Sequence, residues 1–284
     1  GRRGHASVVF NDGSGDAMYV LGGFVVDEET GYREYRNDVW RSEDGANWTQ
    51  IKERSEPELD SIYDWLPRFN HTCVVANHGG TDYIYLIGGY TMLEGYDIRY
   101  SMNYYSDVWR TAEGISWERL PNKDFGYRSE HAAVADPKTG RIYIQGGRHG
   151  IMVADSLNLE HPNAEFYWLW SSDDGINWNP ENDTAEIDQG LLFRSEHQLV
   201  LMDEQLFGFP GRKASNVHLG FADPVNYTFW RRDPGNLWSI DSEGSDFGAR
   251  YGYSLVHHDG KVWILGGESD SQGPDNDVWY GEIN

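Results

Sequence analysis

The chain carries one cysteine, Cys73, in 284 residues. An intrachain disulfide is therefore impossible, and a disulfide-stapled scaffold is excluded. Cys73 lies in the apolar stretch "HTCVVAN", where it reads as a small core residue rather than a reactive thiol. Long apolar runs are also missing. None approaches the roughly 18 residues that cross a bilayer, so direct membrane insertion is not expected. The opening "GRRGHASVVF" has too short an apolar part, and no cleavage pattern, for a signal peptide. One removed beforehand would leave no trace. Basic residues are scarce, 23 Lys and Arg against 46 Asp and Glu, for a net charge of −23. Such a surface repels phosphate backbones and argues against nucleic acid as a partner. There is no phosphate loop, no Gly-x-Ser-x-Gly elbow, no linker and no long amphipathic helix, and nothing in the chain calls for a cofactor.

Aromatic residues are plentiful, at 14% of the chain, which favours β structure. They also recur in order. "NDVWRSEDGANW" (Asn37–Trp48) returns as "SDVWRTAEGISW" (Ser106–Trp117), "YWLWSSDDGINW" (Tyr167–Trp178) and "YTFWRRDPGNLW" (Tyr227–Trp238), and in truncated form as "NDVWYGEIN". Ahead of each copy stands Arg-x-x-His: Arg2–His5, Arg68–His71, Arg128–His131 and Arg194–His197, with Arg250–Tyr253 as a variant fifth. The arginines lie 66, 60, 66 and 56 residues apart. Between the arginine and the tryptophan hairpin run two apolar strands, the second ending in diglycine: "MYVLGG", "IYLIGG", "IYIQGG" and "VWILGG", with "LFGFPG" in unit four.

Each unit therefore reads as four antiparallel strands joined by hairpins. A lone four-stranded sheet cannot cover both its faces, whereas sheets packed radially about an axis can, which is a β-propeller. The expectation is an all-β single domain over 1–284 with about five blades, in repeats near 1–62, 63–122, 123–188, 189–244 and 245–284. Six blades remain the alternative if terminal segments are missing. The opening hairpin is expected to turn on two residues, Asp44-Gly45, with Arg41 opposite Trp48 and the tryptophans on opposite sheet faces.

Arg-x-x-His, the diglycine and the spaced tryptophans, in five ordered copies over essentially the whole chain, resemble the kelch repeat. The resemblance implies a propeller closed by pairing one terminus with the blade begun at the other. Here the fifth copy lacks its last strand and no closing strand is visible. Kelch proteins that grip acidic peptides use arginines on the face corresponding to the one described next.

Connectivity puts the five arginines and the loops after each diglycine on one face, and the Asp-Gly turns on the other. The arginine-side loops are long and aromatic, as binding loops are. The expected ligand-binding residues are Arg68, Arg128, Arg194 and Arg250, with His131 and His197, ringed by Tyr32, Tyr35, Tyr63, Trp65, Tyr96 and Tyr104. A cationic ring in an acidic protein suits carboxylate or sulfate. The bland alternative is that these arginines and histidines recur because the fold recurs. A metal site is not expected, because one histidine per blade spreads the donors too widely for zinc. "NDGSGDA" (Asp12, Ser14, Asp16) and "SDSQGPDND" (Asp270, Asp275, Asp277) fall short of a calcium loop.

Two functional readings follow. The favoured one is a non-catalytic binding or scaffolding module for a protein or glycan, compatible with a place in a larger assembly. The alternative is a carbohydrate-active enzyme on an acidic sugar, glycosidase-like or similar to the sialic acid mutarotases, which are kelch-type propellers. There Glu130 and Glu196 in "RSEH" would serve as acid or base. An axial Arg beside a glutamate of raised pKa would favour the enzyme. The chemistry of the related copper oxidases is unsupported, because Cys73 falls in an inner strand. Acidity and the Asn-x-Ser/Thr sites at Asn47, Asn70, Asn182 and Asn226 lean toward an extracellular or cell-surface setting, with the cytoplasm as the alternative.

Overall fold

The computed structural model describes residues 1–58, 61–92, 102–121, 125–148, 169–181, 194–213, 228–232, 238–243, 250–269, 273–274 and 276–281. These build an all-β propeller of five antiparallel blades. In blade 1, Ala6–Asn11 pairs with Asp16–Val26, which pairs with Arg33–Ser42 and then Thr49–Lys52. Blade 2 repeats this order with Thr72–His78, Thr81–Ile87, Val108–Thr111 and Glu118–Arg119. Blade 3 uses Ala132–Ala135, Ile142–Gln145, Trp170–Ser172 and Asn179–Pro180, and blade 4 Gln198–Met202, Gln205–Phe209, Thr228–Arg232 and Trp238–Glu243. Blade 5 has three strands among the described residues: Ser254–His258, Lys261–Leu265 and Val278–Gly281. Among these residues no helix is long and apolar enough to cross a membrane.

The innermost strands abut one another in chain order, blade 1 on 2, 2 on 3, 3 on 4 and 4 on 5. Each junction holds an apolar cluster. Tyr19, Leu21 and Val39 of blade 1 meet Ile84, Leu86 and Trp109 of blade 2, and Tyr85 and Ile87 of blade 2 meet Ile144 and Trp170 of blade 3. Strand alternation lets one blade feed two junctions: successive residues of Thr81–Ile87 point to opposite neighbours. Smaller clusters join blade 3 to 4 and blade 4 to 5.

The diglycine is explained by these junctions. Gly88, at φ +60°, would place a Cβ 2.5 Å from the Arg128 carbonyl oxygen of the next blade. Its neighbour Gly89 donates its N–H to that same carbonyl at 2.8 Å. Gly23 and Gly147 make the matching bonds to Arg68 and Arg194. Blade contact at this point is backbone on backbone, and only glycine leaves room for it.

The opening hairpin departs from its expected register. Arg41 pairs with Thr49 and Trp40 with Gln50, across a bulge between Val39 and Trp40. Asp44 takes the N–H groups of Ala46 and Asn47 at 2.9 and 2.7 Å, while Gly45 N–H goes to Ser42 Oγ, a bond repeated by Gly114 N–H and Thr111 Oγ1 in blade 2, which has the same shifted register although Glu113 replaces Asp44. That capture widens the turn beyond two residues. The one-residue shift also brings each tryptophan pair to one side of its sheet. Trp109 and Trp117 both enter the cluster between blades 1 and 2, and Trp170 and Trp178 the next one.

Candidate functional site

The third residue of each Arg-x-x-His element has a left-handed backbone: Gly4, Asn70, Glu130, Glu196 and Gly252, at φ of 52 to 63°. This conformation turns each N–H toward the preceding blade. Asn70 N–H donates to Gly4 O at 2.8 Å, Glu130 to Asn70 at 2.9 Å, Glu196 to Glu130 at 2.9 Å and Gly252 to Glu196 at 3.4 Å. The result is a backbone ladder that steps from blade to blade round the propeller axis on the arginine face. Holding Asn70, Glu130 and Glu196 in the left-handed region costs energy that glycine would avoid, and such cost is typical of functional positions.

Beside the ladder lies a second ring. The residue before each third position bridges to the residue after the diglycine, as in Phe69 with Tyr90, Ser129 with Arg148 and Tyr251 with Glu268. Ser195 pairs with Arg212 in the same way. Every blade thus contributes equivalent backbone positions to the mouth, but the side chains differ. Blades 1 and 2 supply an aromatic wall: Phe24, Tyr35, Phe69, Tyr90 and Tyr104, with Tyr90 and Tyr104 stacked at 5.0 Å and Tyr35 and Phe69 at 5.3 Å. Blades 3 to 5 supply charge: Glu130, Arg148, Glu196, Arg212 and Glu268.

The charged half is tightly connected. Arg148 Nε sits 2.7 Å from Glu130 Oε2, and its Nη2 is 3.8 Å from Glu196 Oε1. Asn70 Nδ2 donates to the other Glu130 oxygen at 3.2 Å. The Arg212 guanidinium lies 3.6 Å from the Tyr251 ring centroid, a cation–π contact. Burial pushes the Glu130 carboxyl up, against the pull of Arg148. Burial and then the Glu130 charge raise Glu196 to about 7, which Arg212 and Arg148 only partly offset. Burial opposes the charge on Arg148, but Glu130 and Glu196 outweigh it and its pKa rises. Two glutamates therefore share one arginine, and burial holds both carboxyls above the ordinary range.

The sequence-predicted residues sit elsewhere, apart from Tyr35 and Tyr104 in the aromatic wall. The guanidinium of Arg68 is buried: it grips Asp107 at 2.5 and 2.9 Å and donates to Gly88 O at 2.9 Å. Arg250 does the same with Asp277 and Gly266 O, and Arg2 with Asp38 and Gly22 O. Arg128 is wholly buried and donates to Phe125 O and Gly146 O, and burial pulls its pKa down to about 9. Arg194 is buried and donates to Gly211 O. These arginines tie the start of each unit to its own diglycine, and the expected solvent-facing cationic ring is not where their side chains point. His131 and His197 are buried too. The rings of both lie where a Cβ on the preceding blade's first glycine would be, 3.1 Å from the one at Gly88 and 2.8 Å from the one at Gly146.

Trp65 was expected on the loop surface and is instead fully buried between blades 1 and 2, edge-on to Trp117 at 5.7 Å and under Lys52. Tyr63 is 83% exposed and Tyr32 about half exposed. Tyr96 lies outside the described residues, as do Asp270 and Asp275. Asp12 is held by Tyr19 and Arg41 at 2.8 and 3.1 Å, so its loop is closed by hydrogen bonds of its own. Among the described residues no group of three or more His, Cys, Asp or Glu could hold a metal. A separate recess of about 100 Å³ lies against blade 2, with Arg68 and Asp107 in its wall beside Arg119 and Tyr127. Sequence reasoning missed Arg148, Arg212 and Glu268. The signal was available, because the position after the diglycine reads Phe24, Tyr90, Arg148, Arg212 and Glu268 and so varies where its flanks repeat.

No family model matches the chain. It is 25% identical over 285 aligned residues, 93% of its length, to the leucine-zipper-like transcriptional regulator 1 homolog of Drosophila melanogaster. The match spans only 25% of that protein. Among solved structures, that of YjhT superposes with a TM-score of 0.65 at 12% identity, over 100% of this chain and 82% of the other. The likeness to YjhT supports the propeller fold.

Proposed function

We propose that the chain is a kelch-type binding propeller that takes a protein or glycan ligand at the mouth of its arginine face. The observation that carries this reading is the set Glu130–Arg148–Glu196 standing beside the wall of Tyr90 and Tyr104. An arginine flanked by acids offers donors and acceptors for carboxylate and hydroxyl groups, and an aromatic wall takes the apolar face of a sugar or a side chain. The repeat arginines support the ligand site from below rather than touching the ligand. An extracellular setting goes with this proposal, on the strength of the acidity and the glycosylation-type sites. Glycan-array and pull-down screening of the wild type beside Arg148→Ala tests it. Arg148→Ala should lose the ligands that the wild type retains, and unchanged retention would refute the reading.

A second reading is catalysis on an acidic sugar, and one observation favours it. Glu196 stands 3.8 Å from Arg148, and burial and the neighbouring Glu130 push its carboxyl up to about 7, which suits a group that gives or takes a proton near neutral pH. Exchange of sugar anomers followed by NMR distinguishes the two. A rate raised by the wild type and lost in Glu196→Gln marks an enzyme, whereas binding without acceleration marks a receptor.

A further inference from the structure

The junction face of blade 2 toward blade 3 is closed: Val74, Tyr85, Ile87 and Val108 are at most 7% exposed. Alignment of the repeats puts Val256, Trp263, Leu265 and Val278 at the same places in blade 5. Strand register confirms that they share one face, with Val256 beside Trp263 beside Tyr280, and Ser254 beside Leu265 beside Val278. There Val256 is 48%, Leu265 40%, Val278 57% and Tyr280 61% exposed. The opposite flank of blade 5, with Val262 and Ile264, is buried against blade 4. One face of a built junction is therefore open to water.

The far flank of blade 1 is open in the complementary sense. Trp117 of blade 2 is 5% exposed inside its junction, whereas the equivalent Trp48 of blade 1 is 37% exposed. Val9 stands where Val75 packs into the blade 1–2 cluster, and it is 63% exposed.

We propose that the gap between blades 5 and 1 seats one further four-stranded unit of the same repeat. The occupant's chemistry follows from the two flanks. It begins with an Arg-x-x-His element whose arginine carbonyl accepts from Gly267. Its inner strands lay apolar side chains on Val256, Leu265 and Val278, and its far face receives Val9 and Trp48. Continuity with the four closed junctions supports this occupant over an unrelated protein. So does size, since the whole of this chain covers 82% of YjhT, leaving room there for about one more unit. Such a unit adds a sixth residue to the axial ladder and so completes the mouth.

The test fuses a second copy of residues 112–181 after Gly281, which supplies the missing outer strand of blade 5 and then a whole blade. Fusion should raise the melting temperature, and apolar-dye binding should fall several-fold. The double variant Val256→Lys, Val278→Lys should leave the melting temperature of the 284-residue chain unchanged but abolish the gain in the fusion. Should the fusion fail to fold, two measurements on the 284-residue chain decide. Monomeric sedimentation with fast amide exchange over Val278–Gly281, relative to Val108–Thr111, supports the proposal. Slow exchange in a monomer, meaning that the flanks close on each other, overturns it, and so does a dimer that protects both flanks.

Discussion

Arg68 and Asp107 form a two-pronged ion pair, at 2.5 and 2.9 Å, in which the guanidinium has no exposure to solvent. Burial alone would raise the Asp107 pKa, and Arg68 more than reverses that, so the carboxyl titrates below its ordinary range. The pair joins the first residue of the repeat to its third strand, with the Gly88 carbonyl as a third anchor. A residue pattern that resembles a ligand-gripping ring is, at this position, part of the scaffold.

Asp107→Ala should therefore cost stability rather than ligand affinity alone. Leaving a buried guanidinium without its carboxylate costs about 3–5 kcal/mol. Urea unfolding of the variant should show a lowered midpoint, and an unchanged midpoint would mean that the pair is not buried in solution.

Gly146 makes a sharper case. At φ +63° its Cβ would lie 2.5 Å from Arg194 O and 2.8 Å from the His197 ring. Gly146→Ala meets both backbone strain and a clash across the junction, and should cost more than about 1 kcal/mol. Gly79, which is also at positive φ but has open space, should tolerate alanine better. Thermal melts of the two variants give the comparison.

The tryptophans of the hairpins should differ by blade. Trp117→Ala removes a ring that packs on Trp65 and should cost about 3–5 kcal/mol. Trp48→Ala removes its exposed counterpart and should cost less than about 1 kcal/mol in the 284-residue chain. Equal losses would argue that blade 1 is covered on both flanks.

Acid sensitivity should trace to the buried histidines. Burial, and then the neighbouring Arg68 or Arg194, holds His71 and His197 down at about 3, against an ordinary 6.5. The folded state then binds fewer protons than the unfolded one between those values. Their stabilisation is present above pH 6.5 and is lost as pH falls toward 3, by about 1.4 kcal/mol per unit for each histidine. In urea midpoints measured from pH 7 to 5, His197→Gln should flatten the slope relative to the wild type, by an amount that approaches one proton toward pH 5.

The scaffold was legible because its parts recur. Arg68, His71 and the Gly88-Gly89 pair repeat for one reason each: a clamp, a packing ring and a backbone contact. The repetition that revealed the blades also made those arginines conspicuous as site residues, although their donors turn inward. Arg148, Arg212 and Glu268 escaped notice because they do not repeat, while Glu130 and Glu196 were visible in "RSEH" without their partner. The hairpin register was not legible, because it depends on side chains capturing backbone N–H groups of the turn, Ser42 and Asp44 in blade 1 and Thr111 in blade 2, where glycine alone would have made a tighter turn.

Glu130 and Glu196 share Arg148 on the arginine face of the propeller, and carboxyl-carbon NMR titration measures that pair directly. Glu196 should titrate near pH 7 in the wild type. In Glu130→Gln, which removes the neighbouring charge, its midpoint should move down. A raised carboxyl pKa also has a stability signature: it favours folding below the unfolded value near 4.5 and loses that contribution as pH rises through 7. An ordinary carboxylate midpoint for Glu196, indifferent to Glu130→Gln, would contradict the claim that this mouth is a chemical site.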